Sequence, residues 1–225
     1  MAIPRGGLAL RAWRDTVNSL AVMAPSDTTS AAKILMLVGS ARRESYTRAL
    51  ASDIRRGLET RSARVEVLDL FETPLPQVDL ALRAERDRHP DPTAAGLFRA
   101  AEAAEAFVLA TPVYHNSYSG VLKNALDHLM LRDMRYRPVG LAAHSGRSTQ
   151  AVDHLRQVVR GLLGVSIPTQ ISTRDADFTA ASPGVYRVAD SEILARIERF
   201  CDELVLFAAH MRALRADLDR PKAAD

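Results

Sequence analysis

The segment Gly39-Ser-Ala-Arg-Arg-Glu-Ser-Tyr-Thr-Arg48 concentrates hydroxyls and guanidinium groups just ahead of a helical pattern. The hydroxyls of Ser40, Ser45 and Thr47 can converge on one anion together with backbone N–H groups at the helix start. Arg42 or Arg43 would add charge-assisted hydrogen bonds to phosphate oxygens. The loop contains neither G-x-G-x-x-G nor G-K-S/T, so it is neither a dinucleotide fingerprint nor a P-loop. A monophosphate is the natural fit. Taken alone, the segment is equally an ordinary helix start with solvated arginines. Its place in the fold decides between the two readings.

The elements that must position this loop follow from hydrophobic patterning. Lys33–Val38 is a short apolar run ending in Gly39-Ser40, the pattern of a strand buried on both faces. Tyr46–Glu59 carries Ala49, Leu50, Ile54 and Leu58 at helical spacing, with Ser45 as N-cap. Further strands are expected at Arg64–Leu70, Ala106–Ala110, Arg137–Ala143 and Val165–Ile171, and further helices at Thr93–Ala104, Gly120–Met130, Thr149–Leu163 and Asp190–Leu214. The stretch Thr73–Pro92 is expected to be a long loop, and Thr173–Val188 to be irregular. Alternating strands and helices imply an open parallel α/β sheet covered on both faces. Ligands in such folds bind at the carboxyl ends of the strands. The loops leaving Val38, Ala110 and Ala143 all lie at those ends, and they carry the unusual residues.

Composition narrows the function classes. The chain has 225 residues, 47% of them hydrophobic, enough for one domain with a full core. Residues 1–32 are expected to be a disordered N-terminal extension, or an over-long start with Met23 as the alternative, and 215–225 a tail. The folded domain is then 33–214. A net charge of +3 is spread among acidic residues, with no basic stripe or interleaved aromatics, so a nucleic-acid partner is not expected. No apolar run reaches membrane-spanning length, and the N-terminal stretch lacks a signal-peptide pattern. A cytoplasmic location is the default. Cys201 is the single cysteine, read as a buried structural thiol, and the histidines show no metal-ligand spacing.

Gly39-Ser-x-Arg-x-x-Ser45 followed by Thr111-Pro-Val-Tyr-His-Asn-Ser-Tyr-Ser-Gly-Val-Leu-Lys-Asn-Ala-Leu-Asp127 resembles the NAD(P)H-dependent FMN reductase family, across about Lys33 to Leu206. The resemblance implies a flavodoxin-like three-layer sandwich with a five-stranded parallel sheet of order 2-1-3-4-5, FMN as cofactor, NAD(P)H as co-substrate, and a homodimer or homotetramer. It implies that Ser40, Arg42, Ser45, Tyr46 and Thr47 hold the phosphate. Pro112, Val113, Tyr114, His115 and Asn116 would line the flavin ring, largely through backbone groups, and His144, Ser145 and Gly146 would form a second ring-contacting segment. Arg147-Ser-Thr-Gln150 replaces a frequent Gly-Gly pair, Val113 stands where many members carry Glu, and Tyr118-Ser119 is closer to the sulfonate-linked flavin reductases. These departures bear on the acceptor.

The residue types agree with that chemistry. Pro112 stiffens a turn at a strand end, and backbone N–H groups there suit the polar edge of a flavin, whose own ring performs the hydride transfer. Tyr114 either walls the ring or packs on the subunit. His115 and His144 are the acid/base candidates, with a polar pocket rim as the preferred reading, and no residue is assigned as catalytic. The expected activity is hydride transfer from NAD(P)H through FMN to free flavin, a quinone or a similar acceptor. The alternative is an FMN-dependent dehydrogenase of a specific small organic substrate. A flavodoxin-type electron carrier is disfavoured by the basic charge and the Ser-Ala-Arg loop.

Overall fold

The computed structural model describes residues 31–145 and 150–219. The N-terminal extension up to residue 30, and the tail from residue 220, lie outside the described residues.

The chain runs β1 (Lys33–Val38), α1 (Tyr46–Glu59), β2 (Arg64–Asp69), α2 (Leu80–Ala84), α3 (Pro92–Ala103), β3 (Ala106–Pro112), α4 (Gly120–His128) and α5 (Leu131–Met134). It continues through β4 (Pro138–His144), α6 (Gln150–Gly161), β5 (Val165–Ser166), β6 (Ile171–Thr173), β7 (Phe178–Ser182), β8 (Val185–Val188) and α7 (Ser191–Leu218). The main sheet is parallel, in the order β2-β1-β3-β4-β5, and β6 also pairs with β4. This is the flavodoxin-like order that the family resemblance implies, on the open parallel sheet that the patterning predicts.

Strict alternation along β1 explains why it reads as a continuous apolar run. Ile34, Met36 and Val38 point into one core with Leu50 and Ile54 of α1 and Phe200 and Leu204 of α7. Leu35 and Leu37 point into the other, with Leu97 of α3, Leu122 and Leu126 of α4 and Leu155 of α6. Both faces of the strand are therefore covered, which is what a parallel sheet requires. Gly140 in β4 permits close packing: a Cβ there would lie 2.2 Å from the Phe200 ring of α7.

Three segments differ from the sequence reading. The final strand, expected as Val165–Ile171, is two short pieces. Pro168 has no N–H to donate, and the Thr169 N–H and hydroxyl turn instead to the buried Glu203 carboxylate at 2.8 and 2.7 Å. The stretch Thr73–Pro92 is not one loop. Asp79 caps α2, and a single 3-10 turn at Arg86–Arg88 follows. Arg86 there is buried, 2.8 Å from Asp133, and donates to the Phe98 carbonyl. Because α2 buries no residue, it has no apolar periodicity to read. The stretch Thr173–Val188 contains the antiparallel hairpin β7–β8, turning at Pro183-Gly184 with Gly184 at φ 76°. Its strands are short and mostly exposed, so alternation is weak. Helix boundaries shift by small amounts: α4 ends at His128, and α7 continues to Leu218.

Candidate active site

The strand order reverses between β1 and β3, so the loops that follow them diverge and leave a crevice at the carboxyl edge of the sheet. The Val38–Ser45 loop forms one wall. Gly39 donates its N–H to the Ala110 carbonyl at 2.8 Å, and a Cβ on Gly39 would lie 2.7 Å from that of Leu122. Glycine is thus required where β1 passes α4. Ser119 stitches the two loops together. Its hydroxyl donates to the Gly39 carbonyl at 2.5 Å and caps α4 by accepting from the Leu122 N–H.

The anion loop is held from beneath. Ser45 caps α1 by accepting from the Arg48 N–H at 3.2 Å. The Arg48 guanidinium grips the Asp69 carboxylate with two hydrogen bonds and donates to the Arg42 and Arg43 carbonyls. The bond from Asp69 holds Arg48 charged, above its already high ordinary value. Ser40 and Thr47 are buried, and Arg42 is exposed at the rim. The N–H groups of Tyr46 and Thr47, in the first turn of α1, have no partner among the described residues. Orphan donors at a helix start, beside buried hydroxyls and an exposed arginine side chain, make an anion cradle.

The second wall follows β3. Tyr114 and Ser117 exchange backbone hydrogen bonds at 2.8 and 3.0 Å, closing a tight turn over His115 and Asn116. Both central residues have positive φ, 50° and 64°, the pattern of a type I′ turn. Asn and His tolerate that region better than most side chains. His154 of α6 braces the turn, its Nδ1 lying 3.1 Å from the Ser117 hydroxyl. Two backbone donors in the segments that the resemblance places at the ring are already engaged here. Val113 donates to the His144 carbonyl and Ser145 to the Thr173 carbonyl, each at 2.9 Å. The N–H groups of His115 and Asn116, at the turn tip, have no partner among the described residues.

His144 ends β4, opposite Pro112 in register. Its Nδ1 lies 3.2 Å from the Thr173 hydroxyl and its Nε2 3.2 Å from Asp175. Burial pushes the imidazole below its ordinary pKa, against the opposing pull of Asp175. With both nitrogens engaged, the ring serves as wall rather than free acid. The Tyr46 side chain also serves as wall, its ring 4.8 Å from those of His144 and Phe178 and 4.2 Å from that of Tyr186.

One cleft of about 380 Å³ joins these parts, inside the size range of small-molecule sites. The anion loop lines it through Ser40, Arg42, Ser45, Tyr46 and Thr47, and the opposite wall through Pro112, Val113, Tyr114, His144 and Ser145. Glu44, Asp175 and Tyr186 also line it, and sequence reasoning missed all three. His115 and Asn116 stand exposed on the adjoining turn, and Gly146 lies outside the described residues. No group of side chains suited to a metal ion occurs among the described residues.

Comparisons with known proteins identify the family. The family described as NADPH-dependent FMN reductase matches residues 32–177. The FMN-dependent NADPH-azoreductase of Staphylococcus saprophyticus is 41% identical over 177 residues, covering 78% of this chain and 94% of that protein. A Staphylococcus aureus protein of the same name shows the same identity and coverage. Among solved structures, the flavoenzyme NAD(P)H:(acceptor) oxidoreductase FerB from Paracoccus denitrificans superposes with a TM-score of 0.64 at 22% identity, covering 79% of this chain and 97% of that one. An apo NADH:FMN oxidoreductase gives 0.61 at 21% identity, covering 78% and 89%. At these identities the two structures speak for the fold alone.

Proposed function

The chain belongs to the NADPH-dependent FMN reductase family and is an FMN-dependent oxidoreductase, and from that premise we propose an NADPH-linked reductase of azo and quinone-type acceptors. The observation that carries this reading is a cleft with an anion cradle at one end and, adjoining the other, a stiff turn whose two tip N–H groups have no partner among the described residues. Those two ends match the phosphate and the ring of FMN. In this reading Ser40, Arg42, Ser45 and Thr47, with the Tyr46 and Thr47 N–H groups, hold the phosphate. Pro112, Val113 and Tyr114 flank the ring, and the N–H groups of His115 and Asn116 read its polar edge. His144 and Ser145 close the far side.

When bound, FMN supplies the two-electron relay between nicotinamide and acceptor. The protein supplies position and electrostatics. Buried Ser40 and Thr47 fix the anionic end, so the opposite end meets the open turn where a planar partner can stack. Fixed N–H dipoles at His115 and Asn116 favour negative charge developing beside them. Cleaving an azo bond to two amines consumes two NADPH and two further protons. With His144 occupied at both nitrogens, those protons come from solvent or from exposed His115.

The assembly in this reading is a homodimer or homotetramer, and light scattering tests it, a strict monomer counting against it. A cytoplasmic site of action completes the reading. No described helix is long and apolar enough to cross a membrane, and the one cysteine is a free buried thiol. The function itself is tested by following NADPH and NADH consumption with an azo dye, a quinone and free FMN. NADPH preference, with one dye lost per two NADPH, is expected. Turnover confined to free FMN would reject the azo and quinone assignment.

A further inference from the structure

The cleft carries a feature that neither a phosphate nor a flavin ring explains. Asp175 lies in a single 3-10 turn, Asp175–Asp177, that leads into the β7–β8 hairpin. One of its carboxylate oxygens lies 3.2 Å from His144 Nε2, and the side chain is 70% exposed although it lines the cleft. Its second oxygen has no partner among the described residues. Tyr186 of β8 packs its ring, tilted, on that of Tyr46, the first residue of α1, and lines the same cleft. The hairpin base is fixed to α1, because Val188 donates its N–H to the buried Asp53 carboxylate at 2.9 Å. These side chains therefore sit on an anchored element and do not dangle at a loop tip.

A carboxylate with one oxygen left open is a poor neighbour for a phosphate. His144 does not neutralise it, since burial keeps that imidazole below its ordinary pKa. Glu44, the other acid of the cleft, is turned toward the hairpin, where its carboxyl carbon lies 2.7 Å from the position of a Cβ on Gly184. A carboxylate oxygen that faces a cleft can accept from the hydroxyl groups of a polyol. Asp175 meets His144, which ends the ring-side strand, and His144 in turn stacks on Tyr46 at the start of the anion-loop helix. It thus stands between the two ends of the cleft.

We infer that Asp175, in the cleft that Tyr186 also lines, forms a polyol subsite that accepts hydrogen bonds from the ribityl hydroxyls of FMN. The inference rests on the reading of the cleft as the FMN site. Tyr186 lies beyond the 32–177 segment matched by the family, so this part of the cleft is contributed by the hairpin that follows it.

Three flavins separate the contributions: lumiflavin has no side chain, riboflavin adds the ribityl polyol, and FMN adds the phosphate. Their dissociation constants are measured by fluorescence quenching for the full chain and for Asp175→Ala, Asp175→Asn and Arg42→Ala/Ser45→Ala. Circular dichroism confirms that each variant is folded. Asp175→Ala is expected to shrink the riboflavin-over-lumiflavin advantage by about tenfold, the worth of a hydrogen bond to a charged group, and to leave the FMN-over-riboflavin advantage unchanged. Asp175→Asn keeps one acceptor and should lose less. The phosphate-loop double variant should do the reverse, shrinking only the FMN-over-riboflavin advantage. If Asp175→Ala weakens all three flavins equally, or none, the polyol subsite is wrong. If the phosphate-loop variant leaves the FMN-over-riboflavin advantage intact, the underlying site reading fails instead.

Discussion

Arg48 is the residue whose removal tests how the anion loop is preorganised. It does not itself line the cleft, yet its guanidinium bridges Asp69 at the end of β2 to the carbonyls of Arg42 and Arg43. Arg48→Ala deletes two hydrogen bonds to a carboxylate that is only 17% exposed and frees two loop carbonyls. The ion pair is partly screened by solvent, so its loss is expected to cost about 1–2 kcal/mol of stability. The larger effect falls on ligand binding. A loop no longer held in place must be ordered by the flavin itself, and about 1.4 kcal/mol of ordering weakens FMN tenfold. Arg48→Lys should not restore affinity, because an ammonium cannot span a carboxylate and two carbonyls in one plane. Urea unfolding gives the stability change, and quenching of FMN fluorescence gives the affinity. An FMN dissociation constant within twofold of the parent, in a variant that shows the expected stability loss, would refute the preorganisation argument.

Other consequences follow from buried groups. Asp133→Ala strands the buried Arg86 guanidinium and should lower stability by about 3 kcal/mol or more, read as a fall in the urea midpoint at unchanged slope. Cys201 is buried, with its thiol pushed up to about 12, so it should resist thiol reagents at pH 8 and react only on unfolding. Rapid labelling of the native protein would contradict that. His144 has its folded pKa below the unfolded value, so the unfolded chain binds more protons in the window below about pH 6.5. Stability should therefore fall as pH drops through that window, and His144→Gln should flatten this part of the pH profile.

Much of the fold was legible because β1, β3 and β4 are buried on both faces, and continuous apolar runs are what such strands demand. The anion loop was legible for a different reason: Ser45 is an N-cap whose side chain bonds the helix it starts. What stayed hidden depends on contacts distant in sequence. The break after β5 is made by Glu203, thirty-four residues beyond Thr169, and no local pattern announces it. The hairpin has short, solvated strands, so Tyr186 and Asp175 gave no periodic signal, although Pro183-Gly184 marks a turn. The bond from Ser119 to the Gly39 carbonyl spans eighty residues and has no local signal. The Val113 N–H is a related case. Sequence alone offers it to a ligand, and only the β3–β4 register shows it bound to His144.

The central claim is that one cleft at the β1/β3 switch point holds FMN by both ends. A crystal structure of the FMN-loaded protein tests it most directly. The account predicts the phosphate on the Tyr46 and Thr47 N–H groups beside Ser40 and Ser45, with the ring against Pro112–Tyr114 and its polar edge toward the His115–Asn116 turn. A flavin phosphate bound away from the Gly39–Thr47 loop, or a ring on the other side of β4, would contradict it.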